Sequence, residues 1–133
     1  MKSLDHLEHY KQWQGCLNIM YAVIFEVFPK ESDKEEYLDI ASNLRRFLEN
    51  RPGFISIERF QSLTDEYKIL SLSFWEDEDS IEDWRNLIEH RIAQGQGKNK
   101  LFMSYRIRVA EVKRDYTESN RKEAPQDSNK ALT

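Results

Sequence analysis

The spacing of apolar residues divides the chain into strands and helices. The run YAVIFEVF, residues 21–28, is apolar at nearly every position, which predicts a strand covered on both faces. A broad apolar stripe at helical spacing follows a capping pair formed by Ser32 and Glu35 and predicts a helix that RPG stops. The segments FISIERFQ and KILSLSFW then alternate on either side of the polar turn SLTDEY. This arrangement predicts a hairpin.

A second helix is predicted to begin near residue 77 or 79. Acidic residues fill positions 76–79, where the free N–H groups of a helix would begin, and Asp79 and Glu82 have capping-box spacing. The apolar stripe of this helix, which Gly95 and Gly97 end, comprises Ile81, Trp84, Leu87, Ile88 and Ile92. The segment LFMSYRIRVAEVK predicts the last strand. The order βαββαβ predicts an α+β, ferredoxin-like fold, with two helices on one face of a four-stranded antiparallel sheet.

The chain divides into three regions that differ in their content of apolar residues. Residues 1–19 are polar but place an apolar residue at every third position from Leu4 to Trp13, which predicts an N-terminal extension with a short helix. Residues 20–116 contain all the predicted core elements. Residues 117–133 have very few apolar side chains and are predicted to be a disordered polar tail.

The amino-acid composition argues against several classes of binding partner. The length of 133 residues predicts a single domain. The formal net charge of -4 argues against the basic surface that binding to nucleic acid or an anionic membrane would need. No apolar stretch approaches the ~18 residues of a membrane span, and the N-terminus does not resemble a signal peptide, so a cytoplasmic location is expected. Cys16 is the single cysteine, which excludes an intrachain disulfide.

One face of the predicted sheet mixes aromatic and polar side chains. We assign to it Phe54, Phe60, Ile69, Trp75 and Phe102, together with Ser56, Glu58, Ser71, Ser73, Arg106 and Arg108. A face of this kind is too apolar for open water, so it predicts a homodimer formed by the same face of a second copy. Arg106 and Arg108 are expected to pair with Glu58 across the sheet.

The combined pattern resembles the antibiotic biosynthesis monooxygenase family of dimeric α+β barrel proteins. The segments that carry the resemblance are YAVIFEVFP, the RPGF turn, FWEDEDSIEDWRNLIEHRIAQGQGK and SYRIRVAEVKRDY, and it covers about residues 20–116. The family includes cofactor-free oxygenases that convert phenols to quinones and enzymes that degrade haem. The resemblance implies that Trp84, which matches the family's helix tryptophan, borders a pocket between the helices and the sheet.

Two positions argue against haem degradation. The haem-degrading branch has an asparagine in the first strand and a ligand histidine ten residues after the helix tryptophan. Here the first strand has no asparagine, and Gln94 stands at the histidine position. We therefore expect haem to bind weakly or not at all, and haem degradation stays only as a less favoured alternative. No other cofactor and no metal is expected; His6 and His9 have no further ligand nearby to complete a metal site.

The resemblance implies a cofactor-independent monooxygenase that oxidises an aromatic phenol or quinol-type molecule. The candidate catalytic residues are Trp84 and His90. The candidate aromatic walls of the substrate pocket are Tyr21, Phe25, Tyr37, Phe74 and Tyr105. Three alternatives remain open. Trp84 could be a core residue, and His90 could be a surface residue near the helix end. The protein as a whole could be a non-catalytic dimer that binds a hydrophobic metabolite.

Overall fold

A computed structural model describes residues 19–30, 34–96 and 102–132, with the backbone alone at positions 40, 44, 88, 90–96, 102 and 103. Its helices and strands are β1 Tyr21–Pro29, α1 Lys34–Leu48, β2 Phe54–Gln61, β3 Ile69–Trp75, α2 Glu78–Gln96, β4 Phe102–Glu111 and α3 Gln126–Ala131. The predicted βαββαβ order is confirmed. The predicted N-terminal helix and the Ser32 cap lie outside the described residues.

The sheet is antiparallel, with strand order β2-β3-β1-β4. The apolar strand β1 lies between β3 and β4. Val23 pairs with Ser73 on one side and Val109 on the other, while Phe25 pairs with Ser71 and Ile107. This central position explains why β1 is apolar at successive residues, since both of its faces are at least partly buried.

Both helices pack on the sheet face that carries Val23, Phe25 and Val27. Helix α1 contributes Tyr37, Ala41 and Leu48 to this core, and helix α2 contributes Ile81 and Trp84. The sheet supplies the remaining buried apolar residues of the helix face, which are Val23, Phe25, Val27, Ile57, Ile69 and Trp75. Burial of apolar side chains between two layers is the main source of stability in such a fold.

The ends of the two helices are fixed by local contacts. Asp77 caps α2, because its Oδ1 accepts hydrogen bonds from the Ser80 backbone N–H and the Ser80 hydroxyl, each at 2.8 Å. The cap is thus Asp77, the first of the two predicted start positions, and the capping-box pair of Asp79 and Glu82 lies inside the helix. After α1, Gly53 adopts a left-handed φ of 81°, and its carbonyl accepts a hydrogen bond from Glu76 N at 2.8 Å.

The structure corrects the predicted dimer surface. Ile69 and Trp75 are 4% and 0% exposed and belong to the helix-side core, where Phe54 packs against the cluster that contains Trp75. The reason is the register, which pairs Trp75 with Tyr21 and Ile69 with Val27 and so turns the alternate β3 residues toward the helices. Ser71 and Ser73 are also on the helix side, while the Phe102 side chain is outside the described residues.

The opposite face of the sheet is not covered by either helix, and we call it the open face. It carries the alternate residues Ile24, Glu26, Phe28, Glu58, Phe60, Leu70, Leu72, Phe74, Arg106 and Arg108. At one end of this face Met20 and Ile55 are buried against Phe74 and Val112. The apolar strip of the open face therefore comes from β1, β2 and β3, and it shares Phe60 with the set of residues that was predicted.

The predicted ion pairs with Glu58 are also wrong. Glu26 Oε1 accepts a hydrogen bond from Arg108 Nη1 at 3.0 Å, and Glu26 Oε2 lies 3.2 Å from Lys68 Nζ. The strand order explains the difference, since β4 and β2 occupy opposite edges of the sheet and β1 is the neighbour of β4. The hydrogen bond from Lys68 and the nearby charge of Arg108 hold the pKa of Glu26 below its usual value.

Polar contacts link several residues of the segment 117–132 in the structure. Arg121 donates hydrogen bonds to Asn129 Oδ1 at 3.1 Å, to Ser128 Oγ at 2.8 Å and to the Thr117 carbonyl at 3.2 Å. Its guanidinium lies 4.9 Å from the ring centre of Tyr116. These polar contacts organise the segment around α3, which buries no residue, so the pattern of apolar residues could not reveal it.

Among the described helices, none is long and apolar enough to cross a lipid bilayer.

Gly53→Ala is expected to destabilise the fold. A left-handed φ costs a residue with a Cβ about 1–2 kcal/mol, and here the added methyl would also clash with the Ser80 side chain, whose Cβ would lie at 2.8 Å. The free energy of unfolding in urea should fall by at least this amount. Pro52→Ala, at the exposed neighbouring position, is the control. Equal stability of the Gly53→Ala variant and the parent would contradict the argument.

Candidate functional site

A depression lies between α2 and the sheet, next to Trp84. Its lining comes from β1, β3, β4 and α2 and consists of Val23, Phe25, Ser71, Ser73, Ile81, Trp84, Arg85, Ile107 and Val109. The cavity has a volume of about 20 Å³. It thus has room for about one small molecule such as water or dioxygen.

Small side chains on the sheet create this space. Ser71 and Ser73 stand opposite Phe25 and Val23 in the sheet, at buried positions where a large apolar residue would be usual. The hydroxyl of Ser73 accepts a hydrogen bond from the Trp75 indole N–H at 2.9 Å. The floor beneath Trp84 is consequently almost wholly apolar in character.

The two neighbouring tryptophans have different environments. Their rings are stacked, with centroids 6.3 Å apart and planes at 30°. Trp75 is 0% exposed and its N–H is bonded to Ser73, as expected of a core residue. Trp84 is 4% exposed, lines the depression, and has no hydrogen bond to its indole N–H among the residues that the structure describes. Trp84 therefore combines a core position with a free donor beside a space.

Arg85 is a lining residue that the sequence analysis did not identify. It follows Trp84 and is four residues after Ile81, so it shares one side of α2 with a lining residue. The signal that could have found it is its place at the edge of the apolar stripe, where a long side chain can border a pocket and keep its charge in water.

The predicted aromatic walls do not all meet. Phe25 lines the depression, and the half-exposed ring of Tyr105 lies 5.8 Å from it. Tyr21 packs beside the core cluster that contains Trp75 and Trp84. Phe74 is wrong as a wall, because it lies on the open face with Met20 and Ile55.

Tyr37 belongs to a separate part of the core. It is buried under α1 with Val27 and Ile69, and burial raises the pKa of its phenol, against the opposing effect of Arg59. The Arg59 guanidinium donates to the Ala41 carbonyl at 3.0 Å, and burial lowers the pKa of Arg59. The hydrogen bond from Arg59 to Ala41 links β2 to α1. Neither Tyr37 nor Arg59 lines the depression.

The second predicted catalytic residue, His90, lies in the last part of α2, where the side chain is outside the described residues. Its role stays a prediction. Within 19–30, 34–96 and 102–132 no group of three or more His, Cys, Asp or Glu residues could hold a metal ion. His6, His9 and Cys16 lie outside these ranges.

Charge is unevenly distributed around the site. At the start of α2, burial raises the pKa of Tyr21, and the nearby carboxylates of Glu111, Glu78 and Asp77 raise it further. Arg85 is the cation among the lining residues. An anionic ligand would thus be repelled at the Tyr21 end and attracted at the Arg85 position.

Comparison with known proteins identifies similar sequences. The family model described as antibiotic biosynthesis monooxygenase matches residues 20–96. A protein of Pyricularia oryzae named jasmonate monooxygenase ABM is 45% identical over 93 residues, covering 70% of this chain and 43% of the relative. The uncharacterised protein YqjZ of Bacillus subtilis is 32% identical over 94 residues, which is 71% of this chain and 80% of that protein. The chain thus spans less than half of the Pyricularia relative.

Solved structures with this fold are more distant in sequence. A mutant of SnoaB, a cofactor-independent oxygenase from Streptomyces nogalater, aligns with a TM-score of 0.58 and 11% identity, over 74% of this chain and 98% of SnoaB. The heme-degrader MhuD of Mycobacterium tuberculosis, solved with two hemes, aligns with a TM-score of 0.55 and 19% identity, over 73% and 99%. At such identities the likeness shows the fold alone.

Trp84→Phe is expected to cost less stability than Trp75→Phe. The Trp75 change removes packed atoms and leaves Ser73 without its buried donor, a cost of about 1–3 kcal/mol. The Trp84 change removes an unbonded N–H beside a space and should fall at the low end of that range. Urea unfolding of both variants measures the difference. A larger loss in Trp84→Phe would return Trp84 to a purely structural role.

Proposed function

Because this chain belongs to the antibiotic biosynthesis monooxygenase family, we propose that it is a cofactor-independent monooxygenase acting on an aromatic phenol or quinol-type molecule. The observation that carries the proposal is the apolar depression beside Trp84, the residue that the family resemblance places in a pocket. The name of the 45% identical relative supports oxygenase chemistry.

The size of the depression supports separate binding positions for dioxygen and for the aromatic substrate. The cavity, about 20 Å³, suits dioxygen, and apolar cavities of this kind exclude water. The aromatic substrate would then lie at the exposed edge of the depression, beside Val109, which is 42% exposed. Both reactants are held next to each other, which removes much of the entropic cost of their encounter.

Electron balance favours a phenol when no cofactor is bound. Conversion of a phenol to a quinone inserts one oxygen atom into a ring C–H bond and releases the other as water. The phenol gives up four electrons and dioxygen accepts four, so no external reductant is required. Hydroxylation of a saturated carbon would supply only two of these electrons and would need a reductant.

Oxygen uptake tests this function. The purified protein, with a metal chelator present, should consume one dioxygen per molecule of 1-naphthol and form 1,4-naphthoquinone, seen by absorbance, with water as the second product. Val109→Phe, at the half-exposed rim, should reduce the rate at least tenfold by filling this edge of the depression. Leu63→Phe, in the fully exposed β2–β3 turn, is the control. Binding of 1-naphthol without oxygen uptake would favour the non-catalytic binding protein.

We also infer that two copies associate through the open face. Its apolar residues Leu70, Leu72 and Phe74 lie beside the charged group of Glu26, Lys68 and Arg108, a mixture typical of an interface. The family resemblance supports this assembly.

Leu72→Lys should therefore convert a dimer to a monomer, because the new charge would be buried without a partner. Light scattering at micromolar concentration measures the mass. Leu38→Lys makes the same change on the exposed side of α1 and should leave the dimer intact. A parent protein that is monomeric at this concentration, or a Leu72→Lys variant that stays dimeric, would refute the proposed interface.

A further inference from the structure

We propose that Arg85 binds the anionic oxygen of the substrate at the rim of the depression. This inference rests on the proposed function and names the chemistry of its ligand, an apolar ring that carries a phenolate or a carboxylate. The depression supplies an apolar wall for the ring. Arg85 is the cation in that wall, and a guanidinium presents several N–H donors to an oxyanion.

The charge of Arg85 is available to a ligand. The residue is exposed, and no hydrogen bond or ion pair of its guanidinium is found within the described parts of the chain. Glu82 and Glu89 stand at helical spacings of three and four residues, yet neither lies within 4 Å as an ion-pair partner. Arg108, by contrast, is bound to Glu26 on the open face.

The surroundings give the ligand one orientation. The carboxylates of Asp77, Glu78 and Glu111 stand near Tyr21, at the other end of the lining strands, and would repel an anion there. The ring would then lie on the apolar residues between these ends, with its oxygen at Arg85.

Anion binding at Arg85 also supplies a missing part of the chemistry. A phenol reacts with dioxygen most readily as its phenolate, which is the electron-rich form. A nearby fixed positive charge favours that form and lowers the pKa of the bound phenol. The site would thus collect the reactive form from solution, without a protein base to remove the proton.

A binding experiment without turnover tests the inference. Under anaerobic conditions, the affinities of 1-naphthoate, 1-naphthol and methyl 1-naphthoate are measured by quenching of tryptophan fluorescence. Arg85→Gln should weaken binding of the naphthoate about 5- to 10-fold and leave the neutral ester unchanged. Arg46→Gln, which removes the same charge from an exposed position on α1, is the matched control. Raised salt should weaken naphthoate binding to the parent only.

The ionisation of bound naphthol separates the two sources of the anion. Absorbance of the naphtholate form, followed against pH, should show a lowered pKa for naphthol bound to the parent and not for naphthol bound to Arg85→Gln. A lowered pKa supports a phenolate ligand; selective binding of naphthoate without that shift supports a carboxylate. Equal losses of ester and anion affinity in Arg85→Gln, or no loss of either, would overturn the role of Arg85.

The binding and oxygen-uptake measurements together distinguish failure of the Arg85 role from failure of the proposed oxygenase activity. Selective anion binding without oxygen uptake would leave Arg85 as a ligand residue and remove the oxygenase. Oxygen uptake by Arg85→Gln at the parental rate and KM would retain the oxygenase and remove the anion site.

Discussion

The register of β1 between β3 and β4 is the constraint on which the rest of the structure depends. Because side chains alternate across a strand, a shift of one residue would turn Val23, Phe25 and Val27 away from the helices. The observed register places them on the helix side and brings Ser71 and Ser73 opposite Phe25 and Val23. Two small residues thus face the centre of the core, and the space beneath Trp84 follows from them.

The two tryptophans illustrate how one core can serve stability and binding. Trp75 is fully enclosed, with its N–H bonded to Ser73 and its ring 5.3 Å from Phe54 in an edge-on contact. Trp84 stacks on Trp75 from α2, belongs to the same core cluster and also lines the depression. The enclosed Trp75 therefore fixes the position of the Trp84 ring at the edge of this space.

The two faces of the sheet carry different surface features. The helix side contains the depression, with Arg85 at its rim. The open face contains an apolar strip and the charged group in which Glu26 contacts both Lys68 and Arg108. Because these features lie on opposite sides of one sheet, a change on the open face need not touch the depression, and the proposed association and binding can be tested independently.

The sequence by itself determined the elements, their order and the fold class. Helical and alternating spacing of apolar residues is a local property, and it located β1, α1, the β2–β3 hairpin and α2. Trp84 became a candidate through the family resemblance of its segment. Only the tertiary structure decided which strand faces which layer, because an alternating strand such as ILSLSFW can bury either side until its neighbours are known. For this reason Trp75 and Ile69 were assigned to the wrong face, Phe74 to the wrong wall and Glu58 to the wrong partners. Arg85 and the Arg121 contacts were missed for a related cause, since polar groups are placed by what surrounds them in space, which spacing along the chain does not specify.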